Sequence, residues 1–288
     1  GRTIEVSSPD KVLLPGGITK TDLADYHLRI GPVMLPHVVG RPLTVQRFPD
    51  GLAAGGFFQK DTPDHYPDWI GRVTLPKDGG EVHHMVVGNV ATLVYLANLA
   101  AITLHVGLQR AEHLDRPDRM VLDLDPPRGD SPDAVRGAVR ATRAVLDELG
   151  LACRLMATGS KGYHVVVPLL PELSFDEVKP IARRIAERLA ERHPDRLTVE
   201  QRIAKRDGRV FVDYLRNAIS QTAVAPYSVR ARPGGPIAAP LGWHELGRID
   251  PDGVSLRNVF RRLGRIDDPW AMDGIPPQSL DGVGERLG

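Results

Sequence analysis

Two carboxylates one residue apart, at the end of an apolar run, carry the most chemistry in this sequence: Met120-Val121-Leu122-Asp123-Leu124-Asp125, stopped by Pro126-Pro127. Such a run reads as a strand. Side chains at i and i+2 of a strand project to one face, so Asp123 and Asp125 stand side by side where the strand leaves its sheet. Paired anions at that spacing repel unless water or a cation takes up the charge, and hard oxygen ligands of this kind select Mg²⁺ or Mn²⁺. Alone, a solvated Asp-x-Asp turn is the better explanation of the motif. A third acid in the same setting shifts the balance, because Asp213 ends the apolar run Val210-Phe211-Val212. Three carboxylates are the minimum set for two divalent ions whose other positions go to water and substrate phosphates.

The elements that must position these acids surround them in the sequence. Residues 153–157 and 163–169 read as two strands of a hairpin joined by Gly159-Ser160-Lys161-Gly162, and residues 209–215 as a further strand. One helix is expected from Ser131 as N-cap with Pro132 at its first position, apolar residues at Val135, Val139, Val145, Leu146 and Leu149, and Gly150 closing it. A second is expected from the capping box Ser174/Glu177, with Val178, Ile181, Ile185 and Leu189 on one face and Pro180 kinking its start. The first hundred residues read as mixed α/β. Lys20-Thr21-Asp22-Leu23 opens a helix, residues 44–48 form a strand before the turn Pro49-Asp50-Gly51, residues 51–67 form a loop, and residues 90–101 form a mostly buried helix. The chain is Pro/Gly-rich after Arg232, and its last forty or so residues read as a wrapping tail.

Composition sets the class. The chain has 288 residues, 42% of them hydrophobic and 25% charged, an ordinary globular balance with room for a sizeable core. The net charge of +1 conceals a basic stretch from Arg196 to Arg232, where Arg196, Arg202, Lys205, Arg206, Arg209, Arg216, Arg230 and Arg232 outnumber Glu200, Asp207 and Asp213. A local basic stripe fits a phosphate-bearing partner, although a solvated charged face is the commoner cause of such a run. The single cysteine, Cys153, excludes an internal disulfide and any zinc site built on several thiolates, and points to a reducing compartment. No run approaches the roughly 18–20 apolar residues that span a bilayer, and no basic-then-apolar leader opens the chain, so a soluble, unexported, cytoplasmic protein is expected. It opens Gly1-Arg2 without Met, which reads as a trimmed or excised N-terminus.

Ser160, Lys161 and His164 on the hairpin, together with the cations near Asp213, alternate with the three acids in a pattern that suits a nucleoside triphosphate and its metals. Taken singly, His164 as a satisfied core histidine and Lys161 as an exposed turn residue are the commoner readings. The order Asp123-Leu124-Asp125, then Gly159-Ser160-Lys161-Gly162-Tyr163-His164, then Val210-Phe211-Val212-Asp213 resembles the three motifs of the archaeo-eukaryotic primase superfamily. The likeness is closest to the polymerase domain of bacterial DNA ligase D and its stand-alone relatives in end joining and gap repair. It extends to Pro9-Asp10-Lys11-Val12-Leu13, Thr19-Lys20, Gln46-Arg47-Phe48-Pro49-Asp50-Gly51, Phe57-Phe58, His105 and Ala225-Pro226-Tyr227-Ser228-Val229-Arg230.

The resemblance implies one catalytic unit over residues 1–288. An α/β N-terminal module (1–115) would carry the 5′-phosphate and template loops, a catalytic module (116–240) the RRM-like antiparallel sheet, and residues 241–288 the tail. It implies template-directed nucleotidyl transfer with two Mn²⁺ or Mg²⁺ ions on Asp123, Asp125 and Asp213, a preference for ribonucleotides over deoxynucleotides, and short gap filling on DNA with a downstream 5′-phosphate. Ser160, Lys161 and His164 would touch the triphosphate, and Arg47, His105, Gln221 and Arg230 the incoming nucleotide. Ser8, Lys11 and Lys20 match the 5′-phosphate site, and Phe57 and Phe58 the aromatic pair on the template loop. A ligase and an end-binding repair protein are the implied partners. Ser8 stands where relatives often have Asn, and Gln46 and Gln221 where Lys is common. Neutral Gln removes charge near the triphosphate, so weaker nucleotide affinity is expected. Two other classes stay open from the residues alone: a metal-dependent nuclease, which uses the same acids, and a non-catalytic DNA end-binding module, which does not need them.

Overall fold

The computed structural model describes residues 2–77, 79–127 and 132–287. In chain order the strands are β1 (Val12–Leu14), β2 (Ile18–Thr19), β3 (Pro42–Arg47), β4 (Phe57–Gln59), β5 (Gly71–Lys77), β6 (Gly80–Val86), β7 (Ala101–Gly107), β8 (Gln109–Arg110), β9 (His113–Pro117) and β10 (Arg119–Asp125). They continue as β11 (Arg154–Ala157), β12 (Tyr163–Pro168), β13 (Leu197–Thr198), β14 (Val210–Asp213), β15 (Thr222–Val224) and β16 (Ala239–Leu241). The helices are α1 (Lys20–Val38), α2 (Val90–Asn98), α3 (Pro132–Glu148), α4 (Phe175–Arg192), α5 (Val259–Leu263), α6 (Pro269–Met272) and α7 (Val283–Leu287). The chain divides into two compact units, one of Gly1–Glu112, Thr222–Ala239 and Val254–Ile266, the other of His113–Gln221, Pro240–Gly253 and Asp267–Gly288.

In the first unit, α1 starts at a capping box in which Thr19 and Asp22 satisfy each other's backbone N–H groups. Leu23, Tyr26, His27, Ile30, Met34 and Val38 recur at helical spacing and are buried. The helix runs through Pro32 and Pro36 and meets α2 at Gly31, where a Cβ would lie 2.6 Å from a methyl of Val90. The sheet of this unit has the order β15-β7-β3-β6-β5, with β4 added antiparallel to β3. Two expectations need correction here. The segment 51–67 is not all loop, because Phe57–Gln59 pairs with Val45–Arg47 as a strand. The helix expected over 90–101 ends at Asn98, since Ala101 already belongs to β7.

In the second unit the sheet order is β13-β14-β10-β12-β11-β16, and β10 is paired antiparallel with β12 on one side and with β14 on the other. Alternation divides the two faces. Met120, Leu122 and Leu124 of β10, Tyr163, Val165 and Val167 of β12, and Val210 and Val212 of β14 join one core with the buried stripes of α3 and α4. The helices follow the sequence. Val135, Val139, Val145 and Leu146 of α3 are buried, and Gly150 after it takes a φ of 72°. The Ser174/Glu177 box opens α4, which continues through Pro180. The cap expected at Ser131 lies outside the described residues. Segments of the tail are stitched to the same unit, with Gln278 bonding both backbone groups of Ala152 and Trp270 Nε1 donating to the Leu155 carbonyl. Among the described residues no helix is long and apolar enough to cross a membrane.

Candidate active site

Because even-numbered residues of β10 face the helices, Asp123 and Asp125 stand on the other face of the sheet, and the register carries neighbours to them. Asp123 lies opposite His164 on β12 and opposite Asp213 on β14, while Asp125 lies opposite Phe211. Ligand oxygens of Asp123, Asp125 and Asp213 all fall within 4.8 Å of one another. Asp123 and Asp213 are buried, at 8% and 5% exposure, so the cluster is not a solvated turn. His164 is buried too, but as a partner of the acids, with Nε2 3.4 Å from Asp123 Oδ2.

The charges do not balance. Burial first, then the charges of Asp123 and Asp213, push the Asp125 carboxyl up to about 6, against the weaker pull of His164 and Arg206. Burial also raises Asp213, although its Oδ1 accepts the Leu215 N–H at 2.7 Å and Arg216 opposes the shift. Arg216 Nε lies 3.4 Å from Asp213 Oδ2 and 3.7 Å from Asp123 Oδ2. Three largely buried carboxylates, two of them with a raised pKa despite the nearby cations, make a donor set that fits a divalent cation with oxygen preference.

The hairpin turn sits at the end of the same strands. Thr158 binds the Gly162 carbonyl through both N–H and hydroxyl, which closes the turn that carries Ser160 and the exposed Lys161. Gly162 is required there, since a Cβ would collide with the Leu124 carbonyl, next to Asp125. Cys153 takes no part. It is buried and its thiol is pushed up to about 12.

The other expected site residues lie in the first unit, except Gln221, which ends a turn with its N–H on the Ala218 carbonyl. Arg47 ends β3, with Nε on the Leu99 carbonyl and Nη1 2.9 Å from Gln59 Oε1. His105 lies opposite Thr44 on one side and Val224 on the other, and packs edge-on against Phe58. Phe57 and Phe58 are 49% and 59% exposed, which removes both from any core. Arg230 follows the buried Tyr227, a residue held at φ 64°, and its N–H binds the Pro236 carbonyl. The β1–β2 turn brings the Lys11 carbonyl to the Lys20 N–H. Lys11 Nζ rests on Asp50 at 2.9 Å, and Lys20, buried at the start of α1, has its ammonium disfavoured by burial and by the charges of Lys11 and Arg47. Ser7 rather than Ser8 places a hydroxyl by Lys20, 3.3 Å from Nζ; Ser8 gives its carbonyl to the Lys11 N–H.

Sequence reasoning counted Arg206 and Arg216 only as members of a basic stretch. Arg216 stands beside the acids, and Arg206 stacks on Phe211 with Cζ 4.1 Å from the ring centroid. The signal was available for Arg216, three residues beyond Asp213, but its meaning depends on how the chain turns after β14.

A sheet backed by two helices, with three acids at adjoining strand ends on its other face, belongs here to a nucleotidyltransferase of the polymerase class, as the matches to known proteins show. The model of the LigD primase-polymerase domain matches residues 19–270, and the chain belongs to that family. The multifunctional non-homologous end joining protein LigD of Mycolicibacterium smegmatis is 34% identical over 270 residues, covering 92% of this chain and 35% of that protein. The bifunctional non-homologous end joining protein LigD of Bacillus subtilis is 33% identical over 270 residues, covering 93% of this chain and 43% of the relative. This chain therefore spans less than half the length of these curated relatives. The solved polymerase domain of Mycobacterium tuberculosis ligase D in complex with DNA superposes with a TM-score of 0.88 at 32% identity, over 96% of this chain and all of that one. The mixed α/β fold with its primase-type sheet is thus the family's.

Proposed function

We propose that this domain is a DNA-templated polymerase that prefers ribonucleotides and fills short gaps or ends in break repair. The observation that carries the reading is the trio Asp123, Asp125 and Asp213, held within 4.8 Å by the register of β10 and β14. These acids would hold two Mn²⁺ or Mg²⁺ ions, which would supply charge neutralisation at phosphate and a lowered pKa for a primer 3′-hydroxyl. The protein's own share is positioning and electrostatics. Ser160, Lys161 and His164 bind the triphosphate, with His164 kept in place by Asp123. Arg47, His105, Gln221 and Arg230 orient the nucleotide. Phe57 and Phe58 offer exposed rings on which a template base stacks, worth roughly 1–3 kcal/mol per base.

Ser8, Lys11 and Lys20 receive the downstream 5′-phosphate. The exposed Lys11–Asp50 pair contributes little and yields readily to a phosphate, while an anion beside Lys20 relieves the cost of burying its ammonium. A ligase and an end-binding protein are the partners this role requires, and the cytoplasm, at the nucleoid, is the place for it.

The test uses single-nucleotide gapped DNA. Binding is expected to be tighter with a 5′-phosphate than with a 5′-hydroxyl, by a margin that shrinks with salt and disappears in the Lys11→Ala/Lys20→Ala double variant. On the same DNA, kcat/KM for ATP opposite T is expected to exceed that for dATP. Equal binding to both ends would remove the gap-repair role, and a ratio at or below one would remove the sugar preference.

A further inference from the structure

We infer that Asn217 is a positioning residue for the metal-binding acids: its buried side chain stands in for a missing strand and fixes the register that brings Asp213 to Asp123. The inference rests on the proposed metal role of the three acids.

Strand β14 accompanies β10 only over Asp123–Asp125 and then turns away after Asp213. Peptide groups of alternate residues point to the same edge of a strand, so those of Val121, two residues before Asp123, face the side that β14 has left. Leaving both buried groups unpaired would be costly. Asn217 meets both at once, with Oδ1 accepting from the Val121 N–H at 2.8 Å and Nδ2 donating to the Val121 carbonyl at 2.7 Å. The planar amide thereby reproduces the two-point contact of a neighbouring strand residue. Asn217 is fully buried, and among side chains only Asn and Gln pair an acceptor with a donor in this geometry; Gln is one methylene too long.

The same residue closes the turn that follows the acid. Nδ2 also donates to the Tyr214 carbonyl at 2.8 Å, and the Asn217 backbone N–H reaches that carbonyl at 3.2 Å. Inside this turn are the Leu215 N–H, which Asp213 accepts, and Arg216, which faces Asp213 and Asp123. One side chain therefore ties β10, the turn and the third acid together without touching any ligand oxygen. Residues that orient metal ligands in this manner typically govern affinity by 10- to 100-fold.

The test is Mn²⁺ binding by calorimetry and by electron paramagnetic resonance, with Asn217→Ala and Asn217→Asp prepared beside the unmutated protein. Folding is checked by thermal melts and by binding to 5′-phosphorylated gapped DNA. Folded variants should lose Mn²⁺ affinity by about 10- to 100-fold and keep DNA affinity. Unchanged Mn²⁺ affinity in a folded variant would overturn the inference while leaving the metal site intact, and absence of Mn²⁺ binding by the unmutated protein would overturn both. Should neither variant fold, NMR of the unmutated protein decides. Upon Mg²⁺ addition the Asn217 side-chain amide and the Val121 N–H should shift along one saturation curve, and signals that stay still would refute the role.

Discussion

The second unit buries charge where the first exposes aromatic rings. Asp123, Asp213 and His164 lie at 8%, 5% and 3% exposure on the face of the β10 sheet away from the helices, whereas Phe57 and Phe58, beside β3, stand at 49% and 59%. Both arrangements reverse the ordinary partition of polar and apolar groups, but only the burial of charge carries a large cost. The reversal has different consequences. Buried acids repel one another and raise the Asp125 carboxyl, a cost that a bound cation would relieve. Exposed rings cost little, and in the proposed role they offer a stacking surface.

The largest effect should come from breaking the acid side. Asp123→Ala, Asp125→Ala and Asp213→Ala should each reduce primer extension by more than about 10³-fold, beyond the loss of a single preorganised donor. Melts should remain cooperative. Robust extension by any one of them would break the comparison at its root.

Next comes a titratable group in the first unit that is buried alone rather than in a cluster. His27 is fully buried, its ring nitrogens lack a well-formed hydrogen bond, and burial lowers its pKa to about 4, with the nearby Leu93 backbone opposing only in part. The unfolded chain binds a proton near pH 6.5 that the folded one refuses, so this stability is complete above pH 6.5 and is lost as pH falls through about 4. The loss amounts to about 3 kcal/mol. Denaturant titrations of His27→Leu between pH 7.5 and 4 should show a flatter slope than the parent, whatever the absolute level.

Asp125 should act with the opposite sign. Its folded pKa, about 6, is above the unfolded value, so its contribution is present below pH 3.8 and lost as pH rises through 6. Asp125→Asn should therefore stabilise the metal-free protein at pH 7.5 by about 1–3 kcal/mol, a gain that vanishes near pH 4. Destabilisation at pH 7.5 would show that the acids are balanced without metal.

The smallest change is expected from Phe57→Ala with Phe58→Ala. Core aromatics cost about 3–5 kcal/mol each on truncation, but exposed ones should cost under about 1 kcal/mol together. Synthesis on gapped templates should fall all the same. A large drop in Tm would return the rings to a packing role.

How much of this was readable before the structure follows from the range of the interactions. Asp123, Asp125 and Asp213 were visible because strand alternation and an apolar run followed by an acid are local signals. The Ser174/Glu177 box was equally local. Strand β4 was missed because a three-residue strand after two glycines has no period to detect, and its existence depends on the edge of β3. The burial of Lys20 and the approach of Arg216 to two acids arise from tertiary turns. Asn217 was invisible for the same reason: its partner, Val121, lies 96 residues away.

The most direct measurement is extension of a labelled primer on gapped, 5′-phosphorylated template DNA, with and without Mn²⁺ and each NTP in turn. The account predicts that the primer lengthens only with Mn²⁺ and only by the nucleotide that pairs with the template base, and that Asp213→Ala leaves it unextended. A primer that shortens, or that merely shifts in a native gel without any change in length, would contradict it.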